Sequence, residues 1–210
     1  MFIDIYNTKN TYNLILADPP WRQSKGGRKS VRPNSSGGDL EYQTMTLEDI
    51  REVLATADSL VERNEHNECN EHSEHNKHSK HDTNSILFLW TIDKYLFEAQ
   101  ELAESLGYKL HARMIWNKVT GIPAAFTVRY GHEYLLYMYK GKLTPVAKDA
   151  RGKIHTVFTE QVKRHSQKPI ISYEIIENLY PNQRKLELFA RYPREQWDCW
   201  GNDPNLMGVK

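Results

Sequence analysis

Short apolar runs alternate along this chain with stretches of helical period. The runs Tyr12–Ala17, Ser85–Trp90, Tyr108–Trp116, Glu133–Tyr139 and Arg184–Phe189 have strand length and are bounded by turn residues. Between them, TLEDIREVLATADSLVER carries Leu47, Ile50, Val53, Leu54 and Leu60 near helical spacing, behind Thr46 as N-cap. DKYLFEAQELAESLG predicts a second helix, with Asp93 as N-cap, Gly107 as C-cap and Leu96, Phe97 and Leu102 on one side. KPIISYEIIENLYP sets Ile171, Ile175, Ile176 and Leu179 on one face of a third, closed by Pro181. Strands alternating with helices predict one α/β layered domain over residues 1–210. In such sheets ligands sit beyond the carboxyl ends of strands.

Two segments break the pattern. Residues 22–41, RQSKGGRKSVRPNSSGGDLE, read as a loop in which Arg28, Lys29 and Arg32 lie with no acid near them until Asp39. Residues 64–84 are low in complexity, with His72, His75, His78 and His81 at a three-residue step after His66 and Cys69. On a helix that step drifts about 60° per repeat, so the four imidazoles cannot converge. No apolar residues stand by to build a supporting shell. The segment reads as a polar, solvated insert with no metal site, adventitious metal binding being the alternative.

Composition narrows the setting. The formal net charge is +1, so the chain as a whole gives no electrostatic argument for a polyanion, and any such argument rests on local basic segments. Cys69 and Cys199 match neither metal nor disulfide spacing, which fits a reducing compartment. MFIDIYNTKN lacks a signal pattern and no apolar run reaches membrane length, so a soluble, cytoplasmic protein is expected.

The candidate chemistry stands at the end of the first strand, in ADPPW (17–21). Neither proline can donate to a sheet ladder, and each holds the residue before it extended. The chain leaves the strand as a stiff elbow with Asp18 before the prolines and Trp21 after them. Such a device suits methyl transfer to an exocyclic amino group. The lone pair of that nitrogen is delocalised into the ring. A carboxylate and a fixed carbonyl accepting its N–H bonds favour a tetrahedral nitrogen with a localised pair. An aromatic face would hold the base flat once it has left its stack. A strand simply ended by two prolines is the plainer reading of the same string.

Further pieces follow in order: YQTMTLEDI (42–50), LFLWT (87–91), IWNK (115–118), GHEYLLYMYKGK (131–142), SQKP (166–169), RKLELFAR (184–191) and WDCWGN (197–202). With ADPPW they make the chain resemble the MT-A family of adenine-N6 methyltransferases over residues 12 to 203, the two inserts excepted. The resemblance implies a Rossmann-like, S-adenosylmethionine-dependent methyltransferase sheet in circularly permuted order, catalytic motif first. Its substrate would be adenine in nucleic acid, DNA ahead of RNA. A catalytically silent binding subunit is the rival, which the intact DPPW opposes. Asp18 and the Pro19 carbonyl would hold the adenine amino group, with Pro20 and Trp21 shaping the base pocket. Tyr42 would lie on the loop closing over the site and Glu133 would face it. Lys168, Glu187, Arg191 and Asn202 would meet the donor. Arg28, Lys29 and Arg32, with a second basic stretch from Lys140 to Arg164, would form a positive rim for nucleic acid. Pro193–Arg194 depart from the family's animal members, which carry His-Asn there. At this length target recognition would be short and loose, or borrowed from a homodimer or heteromeric partner.

Overall fold

The computed structural model describes residues 1–22, 44–61, 84–120, 122, 127–162 and 167–201. Seven strands form one mixed sheet: β1 (Leu14–Ala17), β2 (Ser85–Thr91), β3 (Lys109–Asn117), β4 (His132–Lys140), β5 (Val157–Thr159), β6 (Lys185–Ala190) and β7 (Trp197–Gly201). Their order across the sheet is β5-β3-β4-β2-β1-β6-β7. β1 runs parallel to both neighbours, β2 and β6, while β4 runs against β2 and β3.

β1 and the middle of β2, Ile86–Trp90, are apolar throughout because both faces are covered. In β1, Ile15 and Ala17 pack towards helices α1 (Leu47–Ser59) and α2 (Leu96–Ser105). Leu14 and Leu16 pack on the other face, with Phe88 and Trp90 of β2 and with Ile175, Ile176 and Leu179 of α3 (Ile170–Leu179). Thr46 caps α1 as expected, and Asp49 returns the bond to complete a capping box. Gly107 follows α2 at φ +91°, where a side chain would be strained.

Asp93 does not cap α2. It opens a 3-10 turn, Asp93–Tyr95, and the helix proper begins at Leu96. Phe97 is 69% exposed, and the buried stripe of α2 is Ala99, Leu102 and Ala103. Strands β5 and β7 have no counterpart among the expected runs. β5 is three residues long, and β7 alternates buried Trp197 and Cys199 with Asp198, which accepts the Tyr12 hydroxyl at 2.8 Å. Among the described residues no helix is long and apolar enough to cross a membrane.

The sheet also fixes where the second basic stretch begins. Lys140 pairs in register with Ser85 at the start of β2 and meets Asp58 at 2.5 Å. It therefore lies at the opposite edge from the carboxyl end of β1, so it cannot join a rim around Asp18. Residues 64–83 of the insert lie outside the described residues, as do Arg28, Lys29, Arg32, Tyr42 and Asn202.

Candidate active site

β1 and β6 lie side by side from Leu14↔Lys185 to Ala17↔Leu188, so their carboxyl ends open at one place. The elbow leaves β1 there and is pinned at several points. The Trp21 N–H donates to the Pro19 carbonyl at 2.8 Å, and the Pro20 carbonyl accepts from the Met45 N–H at 3.1 Å. The Trp21 indole N–H donates to the Trp90 carbonyl at 2.9 Å. Its ring stacks on Tyr95 with centroids 5.4 Å apart and is only 4% exposed. Trp21 thus fixes the elbow from inside the protein.

Asp18 opens onto a chain of alternating charges. Lys168 Nζ lies 2.8 Å from Asp18 Oδ1 and 2.9 Å from Glu133 Oε2, and Lys118 Nζ lies 2.5 Å from Glu133 Oε1. Burial pushes the Asp18 carboxyl above its usual range, and the Lys168 ammonium offsets this only in part. Burial also acts upward on Glu133, but Lys168 and Lys118 outweigh it and hold that carboxyl below its ordinary value. Desolvation of Lys168 is likewise overcome by the two carboxylates, which raise its pKa. The structure therefore commits the Lys168 ammonium to Asp18 and Glu133.

Lys168 is carried into this position by α3. Pro169, the N-cap residue, offers no side-chain bond, and Glu160 fills the role from the segment after β5. Its carboxylate accepts the Ile170 and Ile171 N–H groups at 3.1 and 2.9 Å, placing negative charge at the helix N-terminus. The Glu160 carbonyl also takes the Trp116 indole N–H at 2.8 Å, tying the start of α3 to β3.

A cavity of about 260 Å³ adjoins Asp18 and Lys168, with Glu187, Phe189 and Arg191 from β6 and the turn after it, and Tyr173 from α3. Glu187 is 7% exposed and accepts the Tyr173 hydroxyl at 2.6 Å. Burial raises its pKa to about 7, the hydroxyl bond pulling the other way. Tyr173 is held in turn by Arg194, whose guanidinium lies 4.4 Å from the ring centroid and forks onto Glu177 at 2.8 and 3.2 Å.

Phe189 sits at φ +63°, unusual for an aromatic residue, where a bulge interrupts the pairing of β6 with β7. Gly201 opposite makes this geometry fit. A Cβ there would fall 2.2 Å from the Ala190 carbonyl oxygen and 2.5 Å from its nitrogen. Gly201→Ala is therefore expected to cost about 1–3 kcal/mol, the range for overpacking. Urea denaturation should show this as a lowered midpoint, and a midpoint equal to the parent's would mean the bulge yields freely.

The MT-A70 family profile matches residues 67–203, more than half of the chain. The chain belongs to the MT-A70 family. It is similar to the type II methyltransferase M.MunI of a Mycoplasma species, 26% identical over 92% of this chain and 78% of that protein. It is 31% identical to the N(6)-adenosine-methyltransferase MT-A70-like protein of Drosophila melanogaster over 95% of this chain and 28% of that one. With the human catalytic subunit METTL3 it shares 25% over 91% of this chain and 28% of that protein. The chain thus spans most of the bacterial relative and under a third of these eukaryotic ones.

Of the residues expected from the MT-A70 pattern, the structure brings Asp18, Lys168, Glu133, Glu187 and Arg191 to one end of the sheet. Lys118, Glu160, Tyr173 and Arg194 were not expected there. IWNK is among the motifs that carry the family resemblance, so Lys118 has a visible signal in the sequence. Tyr173 stands five residues after Lys168 on the same helix pattern, and only its partner Glu187 distinguishes it from a core tyrosine.

Proposed function

We propose that this MT-A70 chain is an adenine-N6 methyltransferase acting on nucleic acid, with S-adenosylmethionine as donor and DNA as the favoured substrate. The observation that carries this reading is Asp18, held on a rigid elbow at the edge of a cavity that is also lined by the buried carboxylate Glu187 of the neighbouring strand. The match over most of the bacterial methyltransferase supports DNA ahead of RNA. The side-by-side placement of β1 and β6, distant in sequence, supports a Rossmann-like sheet in permuted order, with the catalytic elbow preceding the donor strand.

The cavity suits the donor. Glu187 offers acceptors for ribose hydroxyls, Phe189 an apolar ring, and Arg191 a positive charge for a carboxylate. No phosphate is present to require a glycine-rich loop. When bound, S-adenosylmethionine supplies an electrophilic methyl on a sulfonium whose sulfur leaves with the bonding pair. Asp18 and the Pro19 carbonyl accept the N–H bonds of the adenine amino group and localise its lone pair toward that methyl. The Pro19 oxygen already accepts from Trp21 and retains a second lone pair for this purpose. As the N–C bond forms, the N6 proton passes to the Asp18 carboxylate. Burial and the charge of Glu133 raise its proton affinity for that step. Trp21 shapes the pocket from within, stiffening the elbow against Tyr95.

The test is transfer of tritiated methyl to DNA and RNA oligonucleotides, with the modified position mapped. N6-methyladenine in DNA, with RNA a poorer substrate, is the expected result. Label on another atom, or none with donor bound, would overturn the reading.

A further inference from the structure

We infer that Lys118 is a positioning residue for methyl transfer: it holds Glu133 in place so that Lys168 is divided between two carboxylates and Asp18 stays available to the adenine amino group. The inference rests on the function proposed above.

The geometry is that of a row of alternating charges. Lys118 follows β3, Glu133 lies on β4, Lys168 precedes α3 and Asp18 follows β1, so four separate segments meet in one row. The side chains of Lys118, Glu133 and Lys168 are 15%, 13% and 12% exposed, which removes these pairs from the class of weak surface bridges. At such burial, deleting one partner leaves a charge without compensation, a costly change. The two lysines are also seated alike. Lys118 lies 5.3 Å from the Trp116 ring centroid and Lys168 lies 5.2 Å from that of Trp90. The two indoles pack edge to face at 6.1 Å. A lysine that served only to meet phosphate would need neither a buried carboxylate partner nor an aromatic seat.

Charge counting gives Lys118 its role. With both lysines present, Glu133 is satisfied from two sides and Lys168 serves Asp18 with part of its donor capacity. Without Lys118, Glu133 has Lys168 alone and its hold on a proton rises. Once Glu133 is neutral, Lys168 turns wholly to Asp18 and occupies the lone pairs that the adenine amino group needs. Among the described residues, the other groups that feel this row are Arg191 after β6, which favours the Asp18 carboxylate, and Glu187 on β6, whose ionisation Asp18 opposes. Tyr173 on α3 also feels Asp18. Among the described residues, the charges that act on Glu133 are those of Lys168 and Lys118.

The experiment follows Glu133 directly, by carboxyl 13C titration of glutamate-labelled protein, with the resonance assigned through Glu133→Gln. In Lys118→Met the Glu133 midpoint is expected to move upward, and in Lys118→Arg to return toward the parent. Lys118→Gln gives the same reading if the methionine variant does not fold. In steady-state assays the Met variant should lose about tenfold or more in kcat at neutral pH through misplacement of Lys168. The acid limb of its pH profile should move upward, while KM for donor and oligonucleotide stays near the parent's. An unmoved Glu133 titration would overturn the inference whether or not the protein is active. A raised oligonucleotide KM with kcat intact would also overturn it, making Lys118 a phosphate contact. Parent protein that transfers no methyl would instead refute the proposed function, and the titration would still decide the role of Lys118.

Discussion

Asp18→Ala is expected to slow methyl transfer by more than about 100-fold while the protein still folds and binds S-adenosylmethionine. Removing one preorganised acceptor from a transition state costs on that order. The loss should fall on kcat, because the carboxylate acts on the nucleophilic nitrogen as its charge develops. Nothing that shapes the elbow depends on the Asp18 side chain. The turn is held by the Trp21 and Met45 N–H groups and by the indole bond to Trp90. Lys168 is not orphaned either, since Glu133 remains 2.9 Å away. Asp18→Asn adds a sharper reading, keeping one acceptor oxygen but offering no site for the N6 proton. It should fall with the alanine variant if proton uptake matters, and well above it if orientation alone does. Single-turnover rates with saturating donor are the measurement. An alanine variant turning over near the parent rate would remove Asp18 from the chemistry.

What could be read from the residues, and what could not, follows physical lines. The elbow was legible because proline restricts the backbone locally, whatever the rest of the chain does. The central strands were legible because burial on both faces leaves an unbroken apolar run, as in Leu14–Ala17 and Ile86–Trp90. β5 was hidden by its shortness and by its exposed Val157 and Thr159. Asp93 looked like a cap because aspartate is a common helix starter, whereas here it opens a 3-10 turn that precedes the helix and that has no side-chain cap bond. The candidate site divides in the same way. Asp18, Lys168 and Glu187 belong to motifs, so each could be picked out singly. The pairing of Lys118 with Glu133 depends on the antiparallel register of β3 and β4, in which Asn117 meets His132 and Trp116 meets Glu133. Two strands must be aligned before those charges become neighbours. Arg194 stood where the resemblance weakened, and its fork onto Glu177 shows it bracing Tyr173 across the cavity wall.

Donor affinity should depend on pH through Glu187, and losing that carboxylate should cost about 1.5–3 kcal/mol of binding, the range for hydrogen bonds to a charged group. Glu187 is buried on β6 with the Tyr173 hydroxyl on one oxygen, and burial raises its pKa to about 7. Ribose hydroxyls donate, so they bind the ionised carboxylate better than the protonated acid. Above the pKa the site is ready and affinity is flat with pH. Below it a proton must leave before the donor binds, and affinity falls by about tenfold for each further pH unit. Calorimetric titration should therefore show weaker binding at pH 6 than at pH 8, with a proton released on binding at the lower pH. Glu187→Gln should bind weakly with that dependence gone. Tyr173→Phe, which removes a bond favouring the charged form, should move the midpoint upward. The same steep dependence in the glutamine variant would place the titrating group elsewhere in the cavity and free Glu187 from the donor site.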